Sequence, residues 1–323
     1  MYQPKLTIME TEDAIKQIKD AFEKALSEAL NVRRVSAPLF VETASGLNDQ
    51  LNGIEKPLNF PYHNERVEVV QSLAKWKRNA LYEYGFHIGE GLYTDMNAIR
   101  PSETLDATHS LYVDQWDWEK VIDEKDRNID TLKWHVNKIY GALLTLETLV
   151  NKTYPIYQKK LPETIYFIDT QTLLNRYPNA TPSKREALIT KAKKAVFIMK
   201  IGDALSDGSV HDSRSPDYDD WTLNGDLMVW HAPLKEALEL SSMGIRVNQE
   251  ALSIQLNKTP NWATGDFHES LRKNVLPQSI GGGIGQSRLC QFLLEKYHVG
   301  EVQASYWPKA IKAYCKTNHI PLL

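Results

Sequence analysis

Cysteine is scarce in this sequence, and long apolar runs are missing. Only two of the 323 residues are cysteine, Cys290 and Cys315. Two thiols cannot form a disulfide framework or a multi-cysteine zinc site, so reduced thiols in a cytoplasmic protein are the simplest interpretation. No apolar run has the length of a membrane span, and the N-terminal MYQPKLTIMETED has no apolar signal region. The sequence therefore predicts neither export nor a membrane partner.

Blocks of one charge are also missing. The chain carries 38 Lys and Arg against 41 Asp and Glu, a formal net charge of −3, and its basic residues are dispersed. A general nucleic-acid-binding surface would need a basic patch, so no nucleic-acid partner is predicted. Hydrophobic residues make up 42% of the sequence, which is enough for a substantial core in one large domain or two ordinary ones.

Hydrophobic periodicity predicts several helices and strands. Apolar residues three and four positions apart predict amphipathic helices over residues 12–30 and about 129–150. Further helices are predicted in SLAKWKRNALYEYG, ended by Gly85, and over about residues 286–297. Runs of β-branched and aromatic residues predict strands in VRRVSAPLF, ERVEVVQSL, LYVDQWDW, GDLMVW and EALELSSMGIRV.

The remaining segments predict an insertion and two loops. IYFID, SKREALITKAKK and AVFIMKIG predict a small strand–helix–strand insertion over about residues 160–205, and residues 45–65 and 202–225 are predicted as loops. Strands follow one another without the regular helical crossovers of a doubly wound fold. The order favours the α+β class, with a mainly antiparallel sheet flanked by helices.

Residues 281–289 read GGGIGQSRL, a glycine run ahead of a helix. Such a run allows backbone amides to approach a phosphate. It lacks the final glycine and following βαβ unit of a Rossmann fingerprint, and the lysine of a Walker loop. A turn that merely packs a helix against a strand is one alternative. Arg288, in the first helical turn, favours instead an anion held beside the glycines.

Acidic residues interrupt several predicted strands. Alternation places the polar side chains of Gln115 and Asp117 on one strand face, and those of Glu239 and Ser241 on one face of another. A carboxylate that is buried without a partner is costly, so Asp226 and Glu239 are expected to face a cation or a ligand. Two carboxylates together with nucleotide phosphates suit Mg²⁺. The alternative for Asp226 and Glu239 is exposure to water at a strand end. The spacing of Arg100 and Glu103 also fits an ordinary surface ion pair.

Seven stretches together resemble one enzyme family: SLAKWKR, GEGLYTDMNAIRPSE, LYVDQWDWE, RSPDYDDW, LNGD, ELSSMGIRV and GGGIGQSRL. They are similar to the ammonia-dependent asparagine synthetases, or aspartate–ammonia ligases, which are built on the catalytic core of class II aminoacyl-tRNA synthetases of the aspartyl and asparaginyl type. The resemblance runs nearly end to end. It implies a single catalytic domain over residues 1–323 and a cytoplasmic homodimer whose interface includes the first helix and the strand after it.

The resemblance also implies residue roles. For ATP it implies that Arg100 grips the α-phosphate, that Glu103 contacts the adenine end, and that Ser110, Gly283 and Arg288 complete the nucleotide site, with Mg²⁺ on Asp226 and Glu239. The implied aspartate-binding residues are Ser72, Lys77, Gln115, Asp117, Arg214, Asp219, Ser242 and Arg246. The implied catalytic residues are Arg100, Lys77, Gln115 and Asp49, the last as a candidate base for ammonium. The segment 214–224 is shorter than in some family members, and the sequence of residues 259–266 is idiosyncratic.

The activity implied is the ATP-dependent synthesis of asparagine from aspartate and ammonia through β-aspartyl-AMP, releasing AMP and pyrophosphate. Two alternatives are an aspartyl- or asparaginyl-tRNA synthetase and a non-catalytic paralogue. The first needs an N-terminal anticodon-binding domain, and the helix at about residue 12 is expected to leave no room for it. The second would have lost Arg100, Arg288 or the two magnesium-binding acids, which this chain retains.

Overall fold

The computed structural model describes residues 2–51, 53 and 55–323. Its α-helices are α1 (Ile8–Leu30), α2 (Ala74–Glu83), α3 (Ile129–Thr153), α4 (Thr170–Arg176), α5 (Pro182–Lys193), α6 (Gln249–Lys258), α7 (Asp266–Arg272), α8 (Gln286–Leu293) and α9 (Lys309–Thr317). Its strands are β1 (Val32–Arg34), β2 (Phe40–Glu42), β3 (Asn59–Tyr62), β4 (Glu65–Val69), β5 (Gly91–Ile99), β6 (Tyr112–Val121), β7 (Tyr166–Asp169), β8 (Ala195–Met199), β9 (Asp219–His231), β10 (Glu236–Arg246) and β11 (Ser279–Gly285). None of the helices in these ranges is both long enough and apolar enough to cross a bilayer.

Most strands of the described residues belong to one large sheet. Its eight strands lie in the order β1-β5-β6-β11-β10-β9-β8-β7, and only the outermost pairs, β1–β5 and β7–β8, are parallel. The predicted mainly antiparallel sheet with flanking helices is therefore confirmed. Strands β2, β4 and β3 form a smaller antiparallel sheet.

Helix α1 shows how local sequence sets an element. Thr7 and Glu10 form a capping box at its N-terminus, and Asn31 ends it in the left-handed conformation. Its apolar stripe packs on the sheet, where the ring of Phe22 lies 4.9 Å from that of Trp116, centroid to centroid. Helix α3 lies beside α1 over the same face, so the main hydrophobic core is enclosed between these helices and the sheet.

Several predicted boundaries differ from the structure. Strand β9 begins at Asp219, so the loop prediction was wrong for residues 219–225, where pairing with β10 overrides the Gly- and Asp-rich composition. Helix α8 ends at Leu293, four residues before the predicted 297. The strands predicted within 160–205 extend the large sheet at its edge, with α4 and α5 between them. The predicted loop 45–65 contains β3, and its residues 52 and 54 lie outside the described part.

Candidate functional site

A cavity of about 440 Å³ opens on the face of the sheet away from α1 and α3. Polar side chains from β6 and β10, glycines of β11 and Lys77 of α2 form its floor, and the segments around residues 49 and 214 form its walls. All but one of the predicted site residues line it: Asp49, Ser72, Lys77, Arg100, Glu103, Ser110, Gln115, Asp117, Arg214, Asp219, Glu239, Ser242, Arg246, Gly283 and Arg288. The exception is Asp226, which is buried directly behind Arg214.

Lys77 lies on the floor of the cavity as a buried cation. Its side chain is 1% exposed, and Nζ forms an ion pair with Asp117 and donates to the carbonyl of Gly282 at 2.8 Å. Burial lowers the pKa of Lys77, and the attraction of Asp117 opposes that shift. A lysine so fixed presents its charge to the cavity at a defined position.

Arg246 forms the second fixed cation, and it is held by a residue that the sequence analysis missed. Glu119 accepts from its Nε at 2.9 Å and from its Nη2 at 2.6 Å, and Asp219 pairs with its Nη1. Ser279 donates to Glu119 at 2.8 Å. Glu119 continues the alternation of Gln115 and Asp117 on β6, so the period of two was a usable signal for it.

Glu239 and Ser242 reach the cavity because β10 contains a bulge. Glu239 pairs with Met228 and Ser241 with Leu227, which leaves Leu240 as an extra residue. The prediction that Ser241 shares the face of Glu239 was wrong: Ser241 is 2% exposed and absent from the cavity lining, where Ser242 takes its place. Strict alternation cannot anticipate a bulge.

Arg214 and Asp226 form a buried ion pair beside Glu239. Burial raises the pKa of Asp226, as do the carboxylates of Glu239 and Asp212, while the guanidinium of Arg214 lowers it. Asp226 Oδ1 makes no hydrogen bond of ordinary length among the described residues, although the hydroxyl of Ser242 on the paired strand lowers the pKa of this carboxyl. A buried carboxylate oxygen left in this state is suited to receive a further cation.

Two further arginines line the cavity, and one of them contacts Glu239. Arg100 donates from Nε to the carbonyl of Gln71 at 3.3 Å. Arg288 donates to the carbonyls of Glu239 at 3.2 Å and Thr108 at 3.4 Å, and its Nη1 lies 3.7 Å from Oε2 of Glu239. Because backbone carbonyls satisfy only part of each guanidinium, N–H groups remain for a polyanion.

The glycines of GGGIG lie within β11 and do not form a loop before the helix. A Cβ at Gly281 would collide with the carboxylate of Glu119, and one at Gly283 with the amide of Gln115. Glycine at these two positions therefore leaves space for polar side chains of the neighbouring strand. The alternative of a turn at these glycines is therefore excluded, because backbone pairing with β6 continues through Gly285.

Asp49 lines the cavity beside a buried group that we call the Asp217 cluster (Lys75, Asp217, Trp262 and His268). Asp217 Oδ2 lies 2.9 Å from each of three donors, Lys75 Nζ, Trp262 Nε1 and His268 Nε2. His268 Nδ1 accepts from the amide of Gly265, so Nε2 carries the hydrogen. No sequence signal connects these residues, because they come from segments far apart along the chain.

The Asp217 cluster predicts acid-sensitive stability. Burial by itself would raise the pKa of Asp217, but Lys75 and the hydrogen bond from His268 outweigh it and hold that pKa well below its usual range. A lowered pKa stabilises the fold above the unfolded value of about 4, and this contribution is lost as the pH falls toward the folded value. Urea unfolding across this range should show a smaller acid-induced loss of unfolding free energy in Asp217→Asn than in the wild type. Parallel pH dependence of the two proteins would contradict this assignment.

The sequence matches one protein family over nearly its whole length. A family model described as aspartate–ammonia ligase matches residues 9–319. The curated aspartate–ammonia ligase of Bacillus cereus (strain G9842) is 53% identical over 326 residues, 100% of both chains. That of Mycoplasmoides gallisepticum is 56% identical over 325 residues, 99% of both chains.

Solved structures of two aminoacyl-tRNA synthetases share the fold. Asparaginyl-tRNA synthetase from Pyrococcus horikoshii complexed with asparaginyl-adenylate has a TM-score of 0.67 at 14% identity, over 93% of this chain and 70% of that chain. Aspartyl tRNA synthetase from Entamoeba histolytica has a TM-score of 0.61 at 15% identity, over 91% and 58% of the two chains. At such low sequence identity these matches bear on the fold alone. Their TM-scores confirm the predicted class II synthetase-like architecture.

Proposed function

The chain belongs to the aspartate–ammonia ligase family, and on this premise we propose how its cavity carries out the ATP-dependent synthesis of asparagine from aspartate and ammonia. The observation that supports the proposal most directly is that one cavity collects residues from six of the seven family-like stretches. Full-length sequence similarity to ligases favours this activity over that of a tRNA synthetase. The similarity to tRNA synthetases is limited to the fold.

The chemistry requires that aspartate be activated first. A carboxylate does not react with ammonia in water because its leaving group would be oxide. In the proposed first step, the side-chain carboxylate of aspartate attacks the α-phosphate of ATP, giving β-aspartyl-AMP and pyrophosphate. In the second, the lone pair of ammonia attacks the acyl carbon, the bond to AMP breaks, and the new amide nitrogen releases one proton to water.

The part of the cavity lined by Arg100 and Arg288 suits ATP. Arg100 would stabilise the charge that develops on the α-phosphate, which is the type of contribution that usually dominates such transfers. Arg288 would lie against the nucleotide, with Glu103 at the adenine end and Ser110 and Gly283 as further contacts. All five residues line the same cavity.

Asp226 and Glu239 fit a magnesium ion. Asp226 offers a buried Oδ1 that makes no hydrogen bond of ordinary length in the described part, and Glu239 is partly exposed at the cavity wall. One or two carboxylates together with phosphate oxygens are the usual protein site for Mg²⁺. Once bound, Mg²⁺ would supply positive charge to the phosphates. Arg214 would have to share Asp226 with it.

The floor of the cavity suits aspartate, which carries two carboxylates and one ammonium group. Lys77 and Arg246 would hold the carboxylate that does not react, and Asp117 and Asp219 lie beside these cations to bind the amino group. Ser72, Gln115, Arg214 and Ser242 would complete the contacts. Asp49, at the wall, would accept a proton from ammonium, because only neutral ammonia is nucleophilic.

We propose further that the protein is a cytoplasmic homodimer without a nucleic-acid partner. The edge strand β1 and helix α1 would contribute to the interface, as the class II resemblance implies. Sedimentation equilibrium would test the oligomeric state directly.

A single assay tests the proposed function. The purified protein is incubated with aspartate, ATP, Mg²⁺ and ammonium, and AMP, pyrophosphate and asparagine are measured. Equal amounts of all three products are expected. Formation of ADP would refute the adenylate step, and a requirement for tRNA would favour the synthetase alternative.

Glu239→Gln is expected to lower the affinity for the Mg²⁺ that accompanies ATP. Loss of one of two carboxylates should raise the Mg²⁺ concentration for half-maximal ATP binding about tenfold or more. Calorimetric titration of ATP at increasing Mg²⁺ measures this without turnover. Glu236→Gln, three residues away on β10 and outside the cavity lining, is the matched control. Equal magnesium dependence in the two variants would remove Glu239 from the proposed metal site.

A further inference from the structure

Ser215 has one hydroxyl hydrogen and three polar neighbours, Asp49, the carbonyl of Leu51 and the hydroxyl of Tyr218. Its Oγ lies 2.8 Å from Asp49 Oδ1 and 2.7 Å from the carbonyl oxygen of Leu51. Both are hydrogen-bond distances, yet a serine can donate fully to only one acceptor at a time. The Leu51 carbonyl cannot donate in return, because it carries no hydrogen. The protonation state of Asp49 therefore decides where the hydrogen of Ser215 points.

Ser215 can form a hydrogen bond with Asp49 in both the ionised and the protonated form of this carboxyl group. When Asp49 is ionised, Ser215 donates to its carboxylate, since a charged acceptor makes the stronger hydrogen bond. When Asp49 carries a proton on Oδ1, it donates to Ser215 Oγ, and Ser215 turns its own hydrogen to Leu51. The amide of Leu51 donates to Asp49 Oδ1 at 2.9 Å in the structure. A group that must gain and lose a proton in a buried setting benefits from such a partner, because Asp49 Oδ1 keeps a hydrogen bond with Ser215 in both states.

The segment that carries Ser215 is held rigidly. Trp221 Nε1 donates to the carbonyl of Ser215 at 3.3 Å, and Gln255 Nε2 donates to that of Pro216 at 2.9 Å. The next residue, Asp217, accepts from the three donors of the Asp217 cluster. Ser215 itself is 2% exposed. Its hydroxyl is therefore free to rotate while its position is fixed.

The segment that carries Asp49 and Leu51 is also held in place by hydrogen bonds. Gln71 Nε2 donates to the carbonyl of Asp49 at 3.0 Å, and the amide of Asp49 donates to Asn48 Oδ1 at 3.0 Å. Leu51 has a φ of 51°, a left-handed conformation that leucine rarely adopts and that tends to occur at functional sites. This conformation belongs to the turn that brings the Leu51 carbonyl to Ser215.

Charged and titratable groups around Asp49 shift its pKa in both directions. Burial raises the pKa of Asp49, the ammonium of Lys75 lowers it, and Asp217 raises it. Tyr218 lies beside Asp49 and Ser215 and stays protonated, because burial and the neighbouring carboxylates raise its pKa well above the usual value. Glu55 is a further carboxylate near Asp49. A carboxyl group whose pKa is raised is a stronger base for ammonium than an ordinary aspartate.

We propose that Ser215 is a positioning residue for the ammonia step, and that its hydroxyl hydrogen moves from Asp49 to the Leu51 carbonyl as Asp49 takes a proton from ammonium. An N–H bond of ammonium breaks, its electron pair stays on nitrogen as the attacking lone pair, and the proton forms an O–H bond on Asp49. The inference rests on the proposed function, because it assigns a partner to the base of that reaction.

The test compares two nucleophiles with Ser215→Ala. Hydroxylamine is far less basic than ammonia and is already neutral at neutral pH, so its attack needs no base. At pH 7 the variant should lose at least about tenfold in kcat/KM for ammonium, part of the usual contribution of general base catalysis, and about twofold at most for hydroxylamine. The loss with ammonium should shrink as alkaline pH supplies free ammonia. Aspartate-dependent exchange of pyrophosphate into ATP should be unchanged.

Ser241→Ala is the matched control, because Ser241 is equally buried and its Oγ has no hydrogen-bond partner among the described residues. Equal losses with both nucleophiles, or no loss with either, would overturn the role of Ser215. Should Ser215→Ala fail to fold, Ser215→Cys retains a weak donor of similar size, and the same selective loss is expected. A wild-type protein that forms no AMP would refute the proposed function itself, which is a separate outcome.

Discussion

Arg100→Met is expected to lower aspartate-dependent AMP formation by about a thousandfold or more. The α-phosphate gains negative charge as the aspartate carboxylate attacks it, and a guanidinium that faces this charge contributes several kcal/mol in an enclosed site. Arg100 is suited to this role because one carbonyl, that of Gln71, holds its Nε while the rest of the group lines the cavity. Exchange of labelled pyrophosphate into ATP measures this step without ammonia.

Two further variants define the effect of Arg100. Arg100→Lys retains the charge but not the planar pair of donors, so an intermediate rate is expected. Arg66→Met removes an exposed arginine whose Nη1 donates to Asn59 at 3.0 Å, and it should leave exchange unchanged. Near-normal exchange in Arg100→Met would exclude Arg100 from the adenylation step.

Arg246→Met is expected to have the largest effect on stability. The substitution leaves Glu119 and Asp219 buried at 0% and 2% exposure without their cation. Breaking a buried ion pair from one side costs about 3–5 kcal/mol, because the remaining charge keeps its desolvation penalty without the attraction that offset it. Burial would raise the pKa of Glu119, but Arg246 outweighs it and lowers that pKa. The carboxylate is therefore stabilised by the partner that the variant removes.

Urea unfolding at pH 7 measures the loss of unfolding free energy directly. Arg272→Met removes an exposed pair with Glu269 and should cost at most about 1 kcal/mol. The variant Arg246→Met should also show weakened aspartate binding at temperatures where it remains folded. If Arg246→Met were as stable as Arg272→Met, the buried triad would contribute nothing to the fold.

Much of the architecture was predictable from local pattern. The apolar spacing in α1, together with Thr7 and Asn31 at its ends, specifies a helix without reference to the rest of the chain. The alternation in β6 specifies which side chains share the cavity face, and Gln115 and Asp117 lie there as predicted. Most of the candidate site came from a resemblance carried by short motifs, and the cavity brings those motifs together.

Other parts of the site depend on long-range contacts. The bulge at Leu240 moves Ser242 onto the face predicted for Ser241, and the register of β11 against β6 makes the glycine run part of a strand. In the same way, composition indicated a loop at residues 219–225, yet pairing with β10 extends β9 through part of them.

The sequence by itself determined the main helices and strands, the fold class and the residue types available for ATP and aspartate, because helix and strand periodicity and short motifs are properties of neighbouring residues. Only the tertiary structure decided the pairing of Glu119 with Arg246, the Asp217 cluster, and the placement of Ser215 between Asp49 and Leu51. These contacts join residues up to 166 positions apart. Their energies depend on burial and on hydrogen-bond distance, which exist only once the chain has folded.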